Sequence, residues 1–166
     1  MSTGFQQKLW HGAGCLPFCI DHPSKKIHIL LLRETRIDNY TIEIKKAALI
    51  DLGGKRDYLD TDPPYTAVRE FNEESHCMYQ EQSVEILNQI RNRTWPTIEL
   101  SGRRSYYLYC VQVPFKEPPS TATLMWVPLH TFLQAKGDLF QDIPISGRLL
   151  DLINQRGVRQ NLATIG

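Results

Sequence analysis

Short apolar runs dominate the first third of the chain. Gly12 to Ile20 is small and apolar, Asp21-His22-Pro23-Ser24 is a turn signal, and Lys26 to Arg33 (KIHILLLR) predicts a buried strand. Tyr40 to Ile44 alternates Tyr and Ile with Thr and Glu, the period of an outer strand. Ala47 to Leu52 runs into Gly53-Gly54-Lys55, for which a hairpin turn is the plain reading. Asp62-Pro63-Pro64 opens a helix: Asp62 suits the N-cap, and Pro63 stands where a missing N–H costs nothing. This helix is expected to reach Cys77 or Met78, and Gln82 to Ile90 predicts a second, weaker one. Ser105 to Val113 is aromatic and β-branched, hence a strand. Its alternation puts Tyr107 and Tyr109 on one face and Tyr106, Leu108 and Cys110 on the other, all expected in the core. Leu124 to Val127 predicts a short strand and Pro128 to Gln134 a short helix. Ile145 to Gln155 predicts an amphipathic helix carrying Ile145, Leu149, Leu152 and Ile153. Strands with interspersed helices predict an α/β or α+β fold with a mixed sheet covered by helices.

Composition narrows the classes. The 166 residues are 42% hydrophobic and 22% charged, which excludes a disordered chain, a collagen-like fibre and a disulfide-dense mini-domain. No repeat or flexible linker interrupts the sequence, and Lys116-Glu117-Pro118-Pro119-Ser120 reads as a loop, so one domain over residues 1–166 is expected. Nineteen Lys and Arg against eighteen Asp and Glu leave a net charge of +1, which excludes a surface wholly committed to nucleic acid. Apolar runs such as Ile29 to Leu32 fall far below the ~18 residues that span a bilayer. The first residues lack a signal-peptide pattern, and Cys15, Cys19, Cys77 and Cys110 show no C-x-x-C spacing. Buried or half-buried free thiols in a cytoplasmic protein are expected. His11, His22, His28 and His130 show no ligand spacing.

Chemistry concentrates in Asp51 to Met78, DLGGKRDYLDTDPPYTAVREFNEESHCM. Glu70, Glu73 and Glu74 stand at i, i+3 and i+4, within about a 100° arc of the helix, beside an apolar stripe of Ala67, Phe71 and Met78. Arg69 can pair with Glu73 one turn on, which leaves Glu70 and Glu74 uncompensated. A hard divalent cation is their natural partner. Alone, REFNEES reads more readily as a solvated acidic face, since Glu-rich faces are common. Gly53-Gly54 upstream changes the balance, because a double glycine turns sharply and brings backbone groups close to a ligand.

Together these segments resemble the Nudix hydrolase box, G-x5-E-x7-R-E-U-x-E-E-x-G-U, with U a bulky apolar residue. Gly54 opens the box, Arg69-Glu70-Phe71-Asn72-Glu73-Glu74 reproduces R-E-U-x-E-E, and Cys77 takes the last apolar position. Trp126-Val127-Pro128-Leu129 stands where such proteins often have W-V-x-L. The pattern departs in three places: Asp60 stands for the box glutamate, Gly54 to Arg69 is one residue longer, and His76 replaces the late glycine.

The resemblance implies an α/β/α sandwich with a mixed sheet and a pyrophosphohydrolase dependent on Mg²⁺ or Mn²⁺, cleaving a nucleoside diphosphate linked to another moiety. It implies that Glu70, Glu73, Glu74 and the Gly54 carbonyl hold metal, that Glu70 or a neighbouring carboxylate takes a proton from water, that Arg69 orients a glutamate, and that Asp60 fills the supporting acidic role. A further acidic ligand or base from a later loop is open between Glu99 and Glu117. Gly53, Lys55, Arg33, Arg36 and Arg104 are positional candidates for contacting substrate, with ordinary surface cations as the plain alternative. Substrate classes are small nucleotides, dinucleoside polyphosphates and capped RNA, whose backbone basic pairs such as Arg91/Arg93 and Arg103-Arg104 would track. The altered glutamate and glycine keep a nucleotide- or RNA-binding module without turnover as the alternative.

Overall fold

The computed structural model describes residues 9–21, 24–35, 47–121, 123–135 and 143–166. The expected strand at Tyr40 to Ile44, Arg36 and His22 lie outside them. Strands β1 (Gly12–Ile20), β2 (Ile27–Glu34), β3 (Ala48–Ile50) and β4 (Leu52–Lys55) precede helix α1 (Pro63–Glu74). After α1 come a single 3-10 turn, α2 (Ser83–Arg91), β5 (Thr97–Leu100), β6 (Tyr106–Gln112), β7 (Leu124–Pro128), α3 (Leu129–Gln134), α4 (Gly147–Ile153) and α5 (Val158–Ala163).

All seven strands join one mixed sheet, with a path β3-β2-β1-β6-β5, β4 paired to β1 and β7 to β2. β1 runs parallel to β6 and antiparallel to β2 and β4. It is the central strand, so eight of its nine residues are buried and its sequence shows no alternation. On the edge away from β6, residues 12–15 pair with β4 and residues 18–20 with β2. Pro17 falls in the gap between those partners, where a missing N–H removes no bond to that edge.

Two apolar layers flank the sheet. On one face α1 and α2 bury Ala67, Phe71, Ile86 and Ile90 against Ala13, Cys15, Leu30 and Val111. On the other, α3, α4 and α5 bury Phe132, Leu149, Leu152 and Leu162 against Leu16, Phe18, Leu31 and Leu108. The result is the expected α/β/α sandwich. The split along β6 also follows its alternation: Tyr107 and Tyr109 pack with the α1 layer and Tyr106, Leu108 and Cys110 with the other.

Several boundaries differ from expectation. α1 stops at Glu74, and His76 and Cys77 follow with φ of 53° and 61°, in the left-handed region that a side chain disfavours. The chain therefore leaves the helix where the box pattern carries glycine. Met78 is thus off the helix, and the buried anchor beyond it is Tyr79, packed edge-on to Phe71 and donating to the Pro114 carbonyl at 2.6 Å. Ile145 bridges Leu49 as a strand residue, and α4 starts behind the Ser146 cap, which accepts from Leu149 N–H. β5 and α5 are too short for periodicity to reveal them. Of the four free thiols, Cys77 is exposed.

Gly53 and Gly54 form no bend. They lie on β4, and among the described residues only Gly102 and Gly157 are glycines with positive φ. Their smallness is spent on packing. A Cβ on Gly53 would strike the Tyr106 hydroxyl and approach Gly14 Cα to 2.6 Å. Gly53→Ala is expected to destabilise the fold by about 1–3 kcal/mol, the usual cost of overpacking, read as a lower urea midpoint at unchanged m-value.

Candidate functional site

Helix α1 supplies the central side chains, and its start is fixed as the sequence implies: the Asp62 carboxylate accepts from Tyr65 N–H at 2.9 Å. From there Arg69 points back toward the preceding loop. Its Nε and Nη2 donate to the two Asp60 oxygens at 3.0 and 2.9 Å, and Nη2 also donates to the Lys55 carbonyl at 3.1 Å. Asp60 is buried and heavily bonded, accepting from Asp57 N–H at 2.8 Å and from the Thr66 hydroxyl at 2.8 Å, which itself accepts from Trp10 Nε1 at 3.0 Å. Burial alone would raise its pKa. The bonds from Arg69, Asp57 and Thr66 outweigh that and hold it at about 2. Asp60 thus occupies a supporting place against Arg69.

Arg69 does more than bridge one turn. Nη1 donates to Glu70 at 3.1 Å and to Glu73 at 3.2 Å, so Glu70 shares a cation that the i,i+4 argument gave to Glu73 alone. The three glutamates then separate by environment. Glu73 is 60% exposed and stays at the rim. Glu70 is 14% exposed and lies against β4, where a Cβ on Gly54 would sit 2.6 Å from its carboxylate. Burial raises its pKa, opposed by Arg69 and reinforced by Glu73. Glu74 is half-buried; burial first, then the charges of Glu70, Glu34 and Asp51, push it up to about 7, with Arg148 opposing. The Gly54 carbonyl lies against Gly12 of β1.

The sequence reading missed Asp51, Tyr106, Arg148 and Glu34. Asp51 is fully buried and accepts from the Tyr106 hydroxyl at 2.6 Å and from Arg148 Nη2 at 3.1 Å and Nε at 3.3 Å. Arg148 also lies over the Tyr106 ring, 4.7 Å from its centroid. Gly14 and Gly53 leave the space this group fills. Asp51 between apolar Ile50 and Leu52 was the available signal, since an acid inside a buried run needs a partner. Nothing local pointed to Arg148, ninety-seven residues away.

Two cavities flank these groups. One, of about 610 Å³, is lined by Gly54, Lys55, Arg104, Arg148, His11 and Asp151. The other, of about 380 Å³, is lined by Arg33, Glu34, Glu73, Glu74, His76 and Thr123. Lys55, Arg104 and Arg33 therefore border the cavities beside the carboxylates. Glu99 lies elsewhere, on β5 opposite Tyr107, and Glu117 is exposed in the loop before β7. Among the described residues no three His, Cys, Asp or Glu side chains are gathered as a metal cluster.

Solved structures match this architecture nearly end to end. A Nudix hydrolase from M. smegmatis, RenU, superposes with a TM-score of 0.54 at 16% identity, over 94% of this chain and 85% of that one. An Ap4A hydrolase from C. elegans matches with a TM-score of 0.51 at 16% identity, over 95% and 97%. A mutT/nudix family protein from Listeria innocua gives 0.54 at 15% identity, over 93% and 92%. No family model matches the sequence, and no curated protein does. The chain has the fold of the Nudix hydrolases, and its Arg-Glu-Phe-Asn-Glu-Glu run lies on helix α1.

Proposed function

We propose that the chain is a Mg²⁺- or Mn²⁺-dependent pyrophosphohydrolase that cleaves a nucleoside diphosphate linked to another moiety. The observation that carries this reading is the Glu70–Glu74 pair, partly buried with raised proton affinity, with Glu70 lying against the bare Gly54 backbone next to a cavity bordered by Lys55, Arg104 and Arg148. Two crowded carboxylates of this kind are stabilised by a proton or by a hard cation, and carboxylate oxygens suit Mg²⁺ and Mn²⁺. Glu70 and Glu74 would hold the cation, with Glu73 joining from the rim. When bound, the cation supplies neutralisation of phosphate oxygens and acidification of water.

The chain's own residues do the rest. Arg69, clamped by Asp60, keeps Glu70 oriented and stops it rotating into solvent. A carboxylate of the pair takes the proton of the attacking water. Arg148, held by Asp51 through Nε and Nη2, lines the cavity, and Lys55 and Arg104 add charge for the remaining phosphates. The substrate class extends to dinucleoside polyphosphates and capped RNA. A second reading, binding without turnover, draws on the outward Glu73 and the absence of a gathered three-acid cluster among the described residues.

Turnover of a panel of nucleoside diphosphate compounds and capped RNA, with Mg²⁺ and with chelator, tests the proposal. Metal-dependent products support it; tight binding without product selects the second reading. A stability measurement gives an independent check. The raised pKa of Glu74 means that the folded state binds the extra proton between its ordinary 4.5 and about 7. Its contribution is therefore complete below pH 4.5 and is lost as pH rises through 7. Discounted for half exposure, the loss is on the order of 1 kcal/mol. Asp60 has the opposite sign: its contribution holds above its ordinary 3.8 and fades as pH falls through 2. Mn²⁺ is therefore expected to raise the melting temperature more at pH 8 than at pH 5. An equal shift at both would remove Glu74 from the metal set.

A further inference from the structure

A third cavity, of about 530 Å³, lies at the opposite end of α1 from Glu74. Pro64 marks its α1 side, and the ten-residue separation from Glu74 is ~15 Å of helix. Its floor is the outer part of the sheet, where Tyr107 and Tyr109 stack with planes 8° apart and centroids 6.2 Å apart. Tyr109 is buried, and Tyr107 is half-buried, packed on the α2 layer yet reachable from the cavity. Arg91 and Arg93 stand on the wall formed by the end of α2. Arg91 is tied to Asp62 at 3.2 Å, whereas the Arg93 guanidinium has no partner among the described residues. Arg93 also sits at φ 52°, an unusual backbone for arginine, just past the helix end. Glu99, paired in register with Tyr107 on the neighbouring strand, lines the same cavity.

Each feature has a plain reading alone: tyrosines two apart on a strand stack anyway, and surface arginines are common. Their convergence in one cavity is more specific. An aromatic face takes a planar base. An unpaired guanidinium takes a phosphate. A carboxylate accepts paired N–H donors, and among the common bases guanine offers two adjacent ones on its pairing edge, N1–H and N2–H. Adenine presents an acceptor there and would face the carboxylate with a lone pair.

We propose that this cavity is a guanine nucleotide site, separate from the diphosphate cleft: the base stacks on Tyr107, Glu99 accepts from the base edge, and Arg93 holds the phosphate. The nucleotide is either free or one residue of a single-stranded RNA, whose chemistry at this cavity is the same.

The full chain in excess chelator is titrated with GMP, AMP, inorganic phosphate and the oligoribonucleotide UUGUU, with tyrosine fluorescence and calorimetry as readouts. Chelator removes turnover, so this result stands apart from the hydrolase reading. Saturable GMP binding roughly tenfold tighter than AMP is expected. Glu99→Gln should erase most of that preference, and Arg93→Ala should weaken GMP about tenfold; both side chains are exposed, so both variants keep the fold. UUGUU binding more tightly than GMP, and losing that gain in Arg93→Ala, identifies RNA as the source; equal or weaker binding identifies the free nucleotide. Absence of saturable GMP binding at millimolar concentration, equal affinity for AMP, or affinities unmoved by both substitutions would overturn the proposal.

Discussion

Glu70→Gln and Glu74→Gln are each expected to lower metal-dependent cleavage of a nucleoside diphosphate substrate on the order of a thousandfold, while Glu73→Gln costs roughly tenfold. The ranking follows from environment. A charge removed from a desolvated site takes with it an interaction that water cannot replace, and Glu70 and Glu74 are the pair so placed. Glu73 meets solvent over 60% of its side chain, where attraction to a cation is screened. Each amide is isosteric, so loss of fold is not the expected cause, and melting curves in chelator check that. Steady-state rates with saturating Mn²⁺ decide the order. A Glu73 variant as damaged as the Glu74 variant would mean that the helix presents its outer edge to the metal.

Asp51→Ala is expected to be the most destabilising single change near the site, by about 3–5 kcal/mol in urea unfolding. Truncation strands the Arg148 guanidinium and leaves the buried Tyr106 hydroxyl without its acceptor. Much of that penalty is an uncompensated charge. The double change Asp51→Leu with Arg148→Met should therefore recover part of the stability that Asp51→Ala loses, while still lowering affinity for a diphosphate. Equal stability of wild type and Asp51→Ala would show that the pair adds nothing to the fold.

What the sequence revealed and what it concealed divide along physical lines. The N-cap at Asp62, the acid arc of α1 and the two faces of β6 were legible because each depends on residues within one or two turns or pleats. The family pattern gave Asp60 a supporting acidic role but not its pairing with Arg69, which closes across a loop. The role of Gly53 and Gly54 was misread as a bend. Glycine serves either conformation or space, and only the neighbouring Tyr106 hydroxyl and Glu70 carboxylate tell which. Asp51 with Arg148 stayed hidden because pairing across ninety-seven residues leaves no local trace. β5 and α5 stayed hidden because four or six residues complete too few periods.

The Asp60–Arg69 contact has a further consequence for how such chains can vary. Aspartate is one methylene shorter than glutamate, and the stretch between this acid and its arginine is one residue longer than the box pattern. In this chain the shorter side chain and the longer main-chain stretch together let Asp60 meet both Nε and Nη2 of Arg69. Lengthening the acid alone would crowd the Thr66 hydroxyl and the Asp57 amide, and deleting a loop residue alone would pull the carboxylate away from the guanidinium. Either change made alone should therefore loosen the tie between this loop and α1, while the two made together should keep it.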